Sequence, residues 1–195
     1  MKKNIIILIA CVLFIIAGVL LSYSRFNFLP QVVSTNINPR QTENFPTIPI
    51  DTLSGTQQKI IAILQTEFKE QPNGTKYSEG VIEPWCADFV SWVYNQASVP
   101  LTNPRSGSWR IPGTFTLREY YESTNRFQSA DSDYTPKLGD SMIYDNPSTF
   151  GQHVNLVLSV NDDKITSIGG NEVNKIRIIT HQAHKESGFI GYGVL

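Results

Sequence analysis

The chain has 195 residues, 41% of them apolar, which suits one ordinary domain plus an appendage, because a core of about 130 to 150 residues buries roughly two thirds of its unfolded surface. A formal net charge of -1 and a pI near 6.3, with no basic stripe, remove the electrostatic basis for nucleic-acid binding, which rests on clustered Lys and Arg. The two cysteines are Cys11 and Cys86. Cys11 falls inside an apolar run, so a bridge between them would join lipid to folded domain, and Cys86 reads as a free thiol.

Lys2 and Lys3 are followed by Ile5 to Tyr23, about 19 residues without a charge, close to the roughly 20 that cross a bilayer core as a helix. The run exceeds the about 7 to 15 apolar residues of a cleaved signal peptide, and Ser22-Tyr23-Ser24-Arg25 offers no small-x-small cleavage site. Residues 1–25 therefore read as an uncleaved anchor. Leu8-Ile9-Ala10-Cys11 has too little apolar sequence before it to be a lipoprotein box. With the two lysines held in the cytoplasm, everything after Arg25 is expected on the extracytoplasmic side of the cell membrane in a single-pass arrangement. Residues 26–55 carry Pro30, Pro39, Pro46 and Pro49 among Asn, Thr and Gln without an amphipathic period, and read as an extended linker.

The domain is expected over 56–195. Ile60, Ile61, Ile63, Leu64 and Phe68 give a helix face that closes near Gln71-Pro72-Asn73-Gly74. A second helix, Trp85 to Ala97, places Phe89, Val90, Val93, Tyr94 and Ala97 on a broad apolar face. A long polar loop from Val99 to about Pro136 holds one short helix around Thr116 to Ser123. Strands follow at Ser141–Tyr144, Val154–Val160, Lys164–Ile168, Lys175–Thr180 and Phe189–Val194, separated by Asp-Asn-Pro, Asn-Asp-Asp and Gly-Gly-Asn turns. Helices first and hairpin-linked strands afterwards indicate an α+β domain with a mostly antiparallel sheet.

A helix start favours a thiolate, because its unpaired N–H groups and dipole stabilise negative charge. Cys86 stands at such a start, with Pro84 well placed before it; by position alone it could equally be a small buried apolar residue. Of the three histidines, His153 opens the strand HVNLVLSV and is placed to act as a general base. His181 and His184 lie in THQAHKESG and read as solvated loop residues; without a third and fourth ligand they make no zinc site. Asn171 is the candidate to orient the His153 ring, though Gly169-Gly170-Asn171 alone is simply a good turn. The Cys86 N–H is a candidate oxyanion donor, and Tyr77 a possible source of the second. Asp88 reads as a dipole or capping partner. Trp85, Trp109, Tyr120 and Tyr121 could line a substrate groove, while Trp92 reads as core. No metal or other cofactor is called for.

Taken together, WCADFVSWVY, LGDSMIYDN and GQHVNLVLSVNDDKITSIGGN resemble, in that order, the CHAP domain, the cysteine- and histidine-dependent amidohydrolase/peptidase group related to NlpC/P60 and papain-like enzymes. The resemblance spans about 57–195. It implies a papain-like α+β fold, Cys86 as nucleophile, His153 as base, Asn171 as orienting residue, and peptidoglycan peptide or amide bonds as substrate. The acidic residue that often stands two positions before the asparagine is absent, since Gly169 is found there. A non-catalytic peptide-binding scaffold and an acyl transferase of the same fold are the alternative uses of such a groove.

Overall fold

Ser54 opens the first helix with a reciprocal cap. Its hydroxyl accepts the Gln57 N–H at 3.2 Å while Gln57 Oε1 accepts the Ser54 N–H at 3.0 Å, satisfying two donors that a helix start leaves free. In the computed structural model, which describes residues 41–42, 44–148, 150–182 and 186–195, this helix (α1) spans Gly55–Glu70 and stops at Gln71, which turns left-handed at φ 49°. Helix α2 spans Cys86–Gln96 and α3 spans Thr114–Ser123. Ile60, Ile61 and Leu64 of α1, Phe89, Val90 and Val93 of α2, and Leu117 of α3 are buried, as their helical spacing requires.

Among the described residues seven strands form one sheet: β1 Gln41–Thr42, β2 Phe127–Ser129, β3 Ser141–Tyr144, β4 His153–Asn161, β5 Lys164–Gly169, β6 Arg177–His181 and β7 Phe189–Gly193. Their order is β1-β6-β5-β4-β3-β7-β2, and every neighbouring pair is antiparallel. The expected α+β class, with helices ahead of an antiparallel sheet, is therefore what forms. β2 lies inside the stretch expected to be loop. Three residues are too few to show a period-2 pattern, and only the partner β7 reveals it, through Phe127 opposite Gly193.

The strand that His153 opens is the central one, and it is buried from His153 through Leu158. Ile143, Val154, Leu156, Leu158, Ile168 and Ile178 pack with the helices, while Met142, Tyr144, Val157, Ile165, Phe189 and Tyr192 form a second apolar cluster. Both faces are thus covered. α2 docks directly on β4, which brings the start of a helix to the start of the central strand.

Ahead of α1, residues 44–50 of the chain read as linker form no helix or strand but lie against the domain. Phe45, Ile48 and Leu53 pack on the core, and Phe45 meets the Phe68 ring edge-on at 6.0 Å. Pro46 and Pro49 withhold backbone donors that a helix or strand would use; the apolar side chains hold the segment down. The anchor at 1–25 and the linker through 40 lie outside the described residues, among which no helix is long and apolar enough to cross a membrane. Phe45→Ala is expected to lower stability by about 1 to 2 kcal/mol, the scale for losing part of a buried ring and an edge-on aromatic pair, measured by urea unfolding.

Candidate active site

Cys86 is the first residue of α2, and Trp85 stands at the cap without a side-chain hydrogen bond to the helix. The helix's first internal bond runs from the Phe89 N–H to Trp85 O, so the N–H groups of Cys86, Ala87 and Asp88 are not used by the helix itself. The thiol is 6% exposed and free. Burial pushes its pKa up, but a hydrogen bond with His153, the charge of that ring, the Thr114 hydroxyl and the Val154 N–H outweigh it, and the pKa ends below that of an ordinary thiol.

His153 is 5% exposed and lies under the ring of Phe150, stacked at 5.6 Å and 23°. Burial alone would lower its pKa. Cys86, by hydrogen bond and charge, and the nearby Glu172 carboxylate raise it to about 10. The two shifts run in opposite directions, both towards a thiolate beside an imidazolium, because each charge stabilises the other in a site where neither is well hydrated.

The polar side chain found beside the His153 ring is that of Glu172, the residue after Asn171. Glu172, 6% exposed, places Oε1 3.4 Å from His153 Nε2, too long for a well-formed hydrogen bond but close for an ion pair. This leaves the other ring nitrogen, Nδ1, for the thiol. Asn171 sits one residue earlier at φ 61°, and its side chain makes no hydrogen bond or ion pair among the described residues. The turn that made Asn171 attractive uses its tolerance of left-handed backbone and delivers the next side chain to the ring.

The two preceding glycines make this possible. A Cβ on Gly169 would stand 1.9 Å from Asn155 Oδ1 and 2.6 Å from Glu172 Oε1, so the position that lacks an acid is filled by the carboxylate of Glu172. A Cβ on Gly170 would stand 2.5 Å from the Trp85 ring and 2.7 Å from Phe89 Cβ. One glycine admits the acid, and the other lets the end of β5 lie against α2.

Other expectations change with burial. Tyr77 is fully buried, donates its hydroxyl to Glu67 Oε2 at 2.7 Å and stacks on Trp85 at 5.2 Å; it is a packing residue with no hydroxyl to spare for an oxyanion. Trp85 is 4% exposed and donates its indole N–H to Asn174 Oδ1 at 3.2 Å, bracing the Glu172 turn instead of lining a groove. Tyr121 is fully buried against the Ser141 hydroxyl, and Tyr120 is 8% exposed. Trp109 is half-buried in the loop before α3, and Trp92 is half-buried against the core.

Asp88 faces inward, not to solvent: it is fully buried, with Arg110 Nε 2.8 Å from its Oδ1. Burial, then the charges of Cys86 and Glu79, push its pKa up to about 7. Arg110 also pairs with Glu83, so this cluster ties the loop before α3 to the chain around Cys86. His181, expected in solvent, ends β6 at 2% exposure with Nε2 3.2 Å from the Ser167 hydroxyl, because the strand continues one residue further than its apolar pattern shows. His184 lies outside the described residues. Among the described residues no cluster of His, Cys, Asp and Glu could hold a metal ion.

Sequence reasoning missed Glu172 and Thr114, whose hydroxyl lies 3.8 Å from Cys86 Sγ. The signal for Glu172 was its place directly after Gly-Gly-Asn; Thr114 had none, since 28 residues separate it from the cysteine. Alkylation of Cys86 by iodoacetamide at pH 7 is expected to outpace that of a free thiol at least tenfold. His153→Ala should abolish the advantage, and Gly169→Ala should reduce it by displacing Glu172, both followed by mass spectrometry of the Cys86 peptide.

A free thiol at a helix start, an imidazole on the adjoining strand and a carboxylate behind it form an arrangement built for nucleophilic attack on a carbonyl. The family model of the CHAP domain matches residues 76–171, a stretch that contains Cys86, His153, Gly169 and Asn171. No curated protein and no solved structure matches the chain. The order of motifs, the geometry around the thiol and the family match agree: the chain carries a CHAP domain.

Proposed function

We propose that the domain is an extracytoplasmic cysteine hydrolase that cleaves an amide bond in peptidoglycan, held at the membrane by residues 1–25. The observation that carries this reading is the buried Cys86 thiol at a helix start beside the His153 ring, with the Glu172 carboxylate behind it. Membership of the CHAP family supplies the substrate class, and the apolar run behind two lysines supplies the address.

In this reaction the Cys86 thiolate attacks the amide carbonyl, and the developing oxyanion is met by the Cys86 N–H at the start of α2. The imidazolium of His153 gives its proton to the leaving amine as the carbon–nitrogen bond breaks, which leaves a thioester and a neutral ring. His153 then takes a proton from water as that water attacks the thioester. The acid product leaves, and the thiolate–imidazolium pair is restored. Glu172 acts throughout by holding the ring and favouring its charged form.

Purified peptidoglycan treated with the full chain is expected to release soluble muropeptides, identified with their cleaved bond by mass spectrometry. Cys86→Ala should release none; equal release by wild type and Cys86→Ala would overturn the reading.

The pH profile follows from the two shifts. Activity needs the thiolate, so it falls on the acid side as Cys86 is protonated below its depressed pKa. It also needs the imidazolium, so it falls on the alkaline side as His153 loses its proton near pH 10. Removing the Glu172 charge destabilises the imidazolium. Glu172→Gln is therefore expected to move the alkaline limb to lower pH and to reduce kcat about tenfold or more, while Asn171→Ala leaves that limb in place, as steady-state rates from pH 5 to 11 will show.

A further inference from the structure

Attack by Cys86 leaves negative charge on the carbonyl oxygen, and a single N–H at the start of α2 is one donor where two ordinarily share the load. Tyr77 is spent on Glu67. We propose that the Thr114 hydroxyl is the second oxyanion donor, resting on the thiolate until attack and following the charge to the oxygen. The proposal deepens the reading of Cys86 as nucleophile and rests on it.

Position comes first. Thr114 Oγ1 lies 3.8 Å from Cys86 Sγ, and this is the hydroxyl's one hydrogen-bond contact among the described residues. By ordinary bond lengths an oxygen on the carbon under attack stands roughly 2.7 Å from the sulfur, so a hydroxyl 3.8 Å from that sulfur comes within hydrogen-bond reach of an oxygen that points to the same side of the sulfur. Thr114 is half-buried, so it meets a substrate without being fully hydrated.

Rigidity is the second requirement, since a donor assists only if it is already aimed. Thr114 is the first residue of α3, and the cap residue Gly113 contributes no side chain to the helix start. Three residues before it, Ile111 is fully buried and donates its N–H to the Ser91 hydroxyl on α2 at 3.2 Å. Three residues after it, Leu117 is fully buried. Arg110, paired with Asp88 and Glu83, fixes the same loop to the chain around Cys86. A β-branched threonine held at both ends has few rotamers in which to stray.

The electrostatics agree with this placement. The hydroxyl is neutral, so it donates to negative charge without competing with His153 for the proton. In the resting enzyme it supports the thiolate. No proton leaves Thr114 in the cycle: the hydrogen bond moves from sulfur to oxygen as the carbon–sulfur bond forms, and returns when the carbonyl re-forms.

Two small probes that need no cell wall separate an oxyanion donor from a residue that only tunes the thiol. Iodoacetamide alkylates sulfur by displacing iodide, with no oxyanion at the carbonyl. 4-Nitrophenyl acetate acylates sulfur through a tetrahedral oxyanion. Both are applied to the full chain at a pH where Cys86 is fully ionised, alkylation followed on the Cys86 peptide and acylation as the nitrophenolate burst above that of Cys86→Ala. Thr114→Val is expected to keep alkylation within about threefold of wild type and to lose acylation tenfold or more, while Thr114→Ser recovers most of the acylation. Acylation that falls no further than alkylation in Thr114→Val, or a Thr114→Ser as slow as Thr114→Val, overturns the proposal. A wild-type thiol no faster than free cysteine towards either probe overturns the nucleophile assignment itself, which is a different result.

Discussion

The contact of Cys86 with His153 is the constraint around which the domain is organised. It requires the first residue of α2 to reach the first residue of the central strand, and neither segment makes that happen alone. Phe89, Val90 and Val93 on one side, and Val154 and Leu156 on the other, bury α2 against β4. That apolar packing brings the two polar groups into a buried site where each is costly by itself and tolerable only as a pair. The same packing explains why both are about 5% exposed and yet shift each other's titration, the thiol downward and the imidazole upward.

The acid behind the histidine shows how one constraint can be met by a different route. A carboxylate is commonly supplied from the position that here is Gly169. In this chain it arrives from Glu172, three residues later, by way of a left-handed turn at Asn171, Val173 and Asn174. Space, rather than sequence position, fixes the outcome: Asn155 and Glu172 occupy the room a side chain at 169 would need. Trp85, hydrogen-bonded to Asn174, ties this turn to Cys86, its neighbour in the chain. Further along the sheet, Asn155 donates to Ser167, and Ser167 meets His181, so a buried polar row continues behind the site. Such a row fixes strand register more firmly than apolar packing alone, because a slip would leave each member unpaired.

The long stretch between α2 and β3 has a similar logic. It is polar, yet it carries Thr114 to the sulfur, and it is held by a few buried anchors: Ile111, Leu117 and the Arg110 cluster with Asp88 and Glu83. Buried ion pairs are a weak source of stability. Here they serve position, by fastening a loop across the helix that begins at Cys86.

The sequence by itself determined the helices, five of the strands and the α+β class, and it singled out Cys86 and His153. Those rest on local periodicity, on turn residues and on a cysteine at a helix start, all of which are written within a few neighbouring positions. The tertiary structure decided what depends on partners distant in the chain. Glu172 rather than Asn171 faces His153 because only the folded turn reveals which of two adjacent side chains points inward. Tyr77 and Trp85 became packing residues because Glu67 and Asn174 claim their polar atoms, and His181 became buried because β6 runs on against Ile165. β2 exists because β7 is there to receive it, and Thr114 reaches the sulfur from 28 residues away. The spacing of residues along a chain specifies the faces of helices and strands, whereas the claims that polar atoms make on one another are settled only when those faces meet.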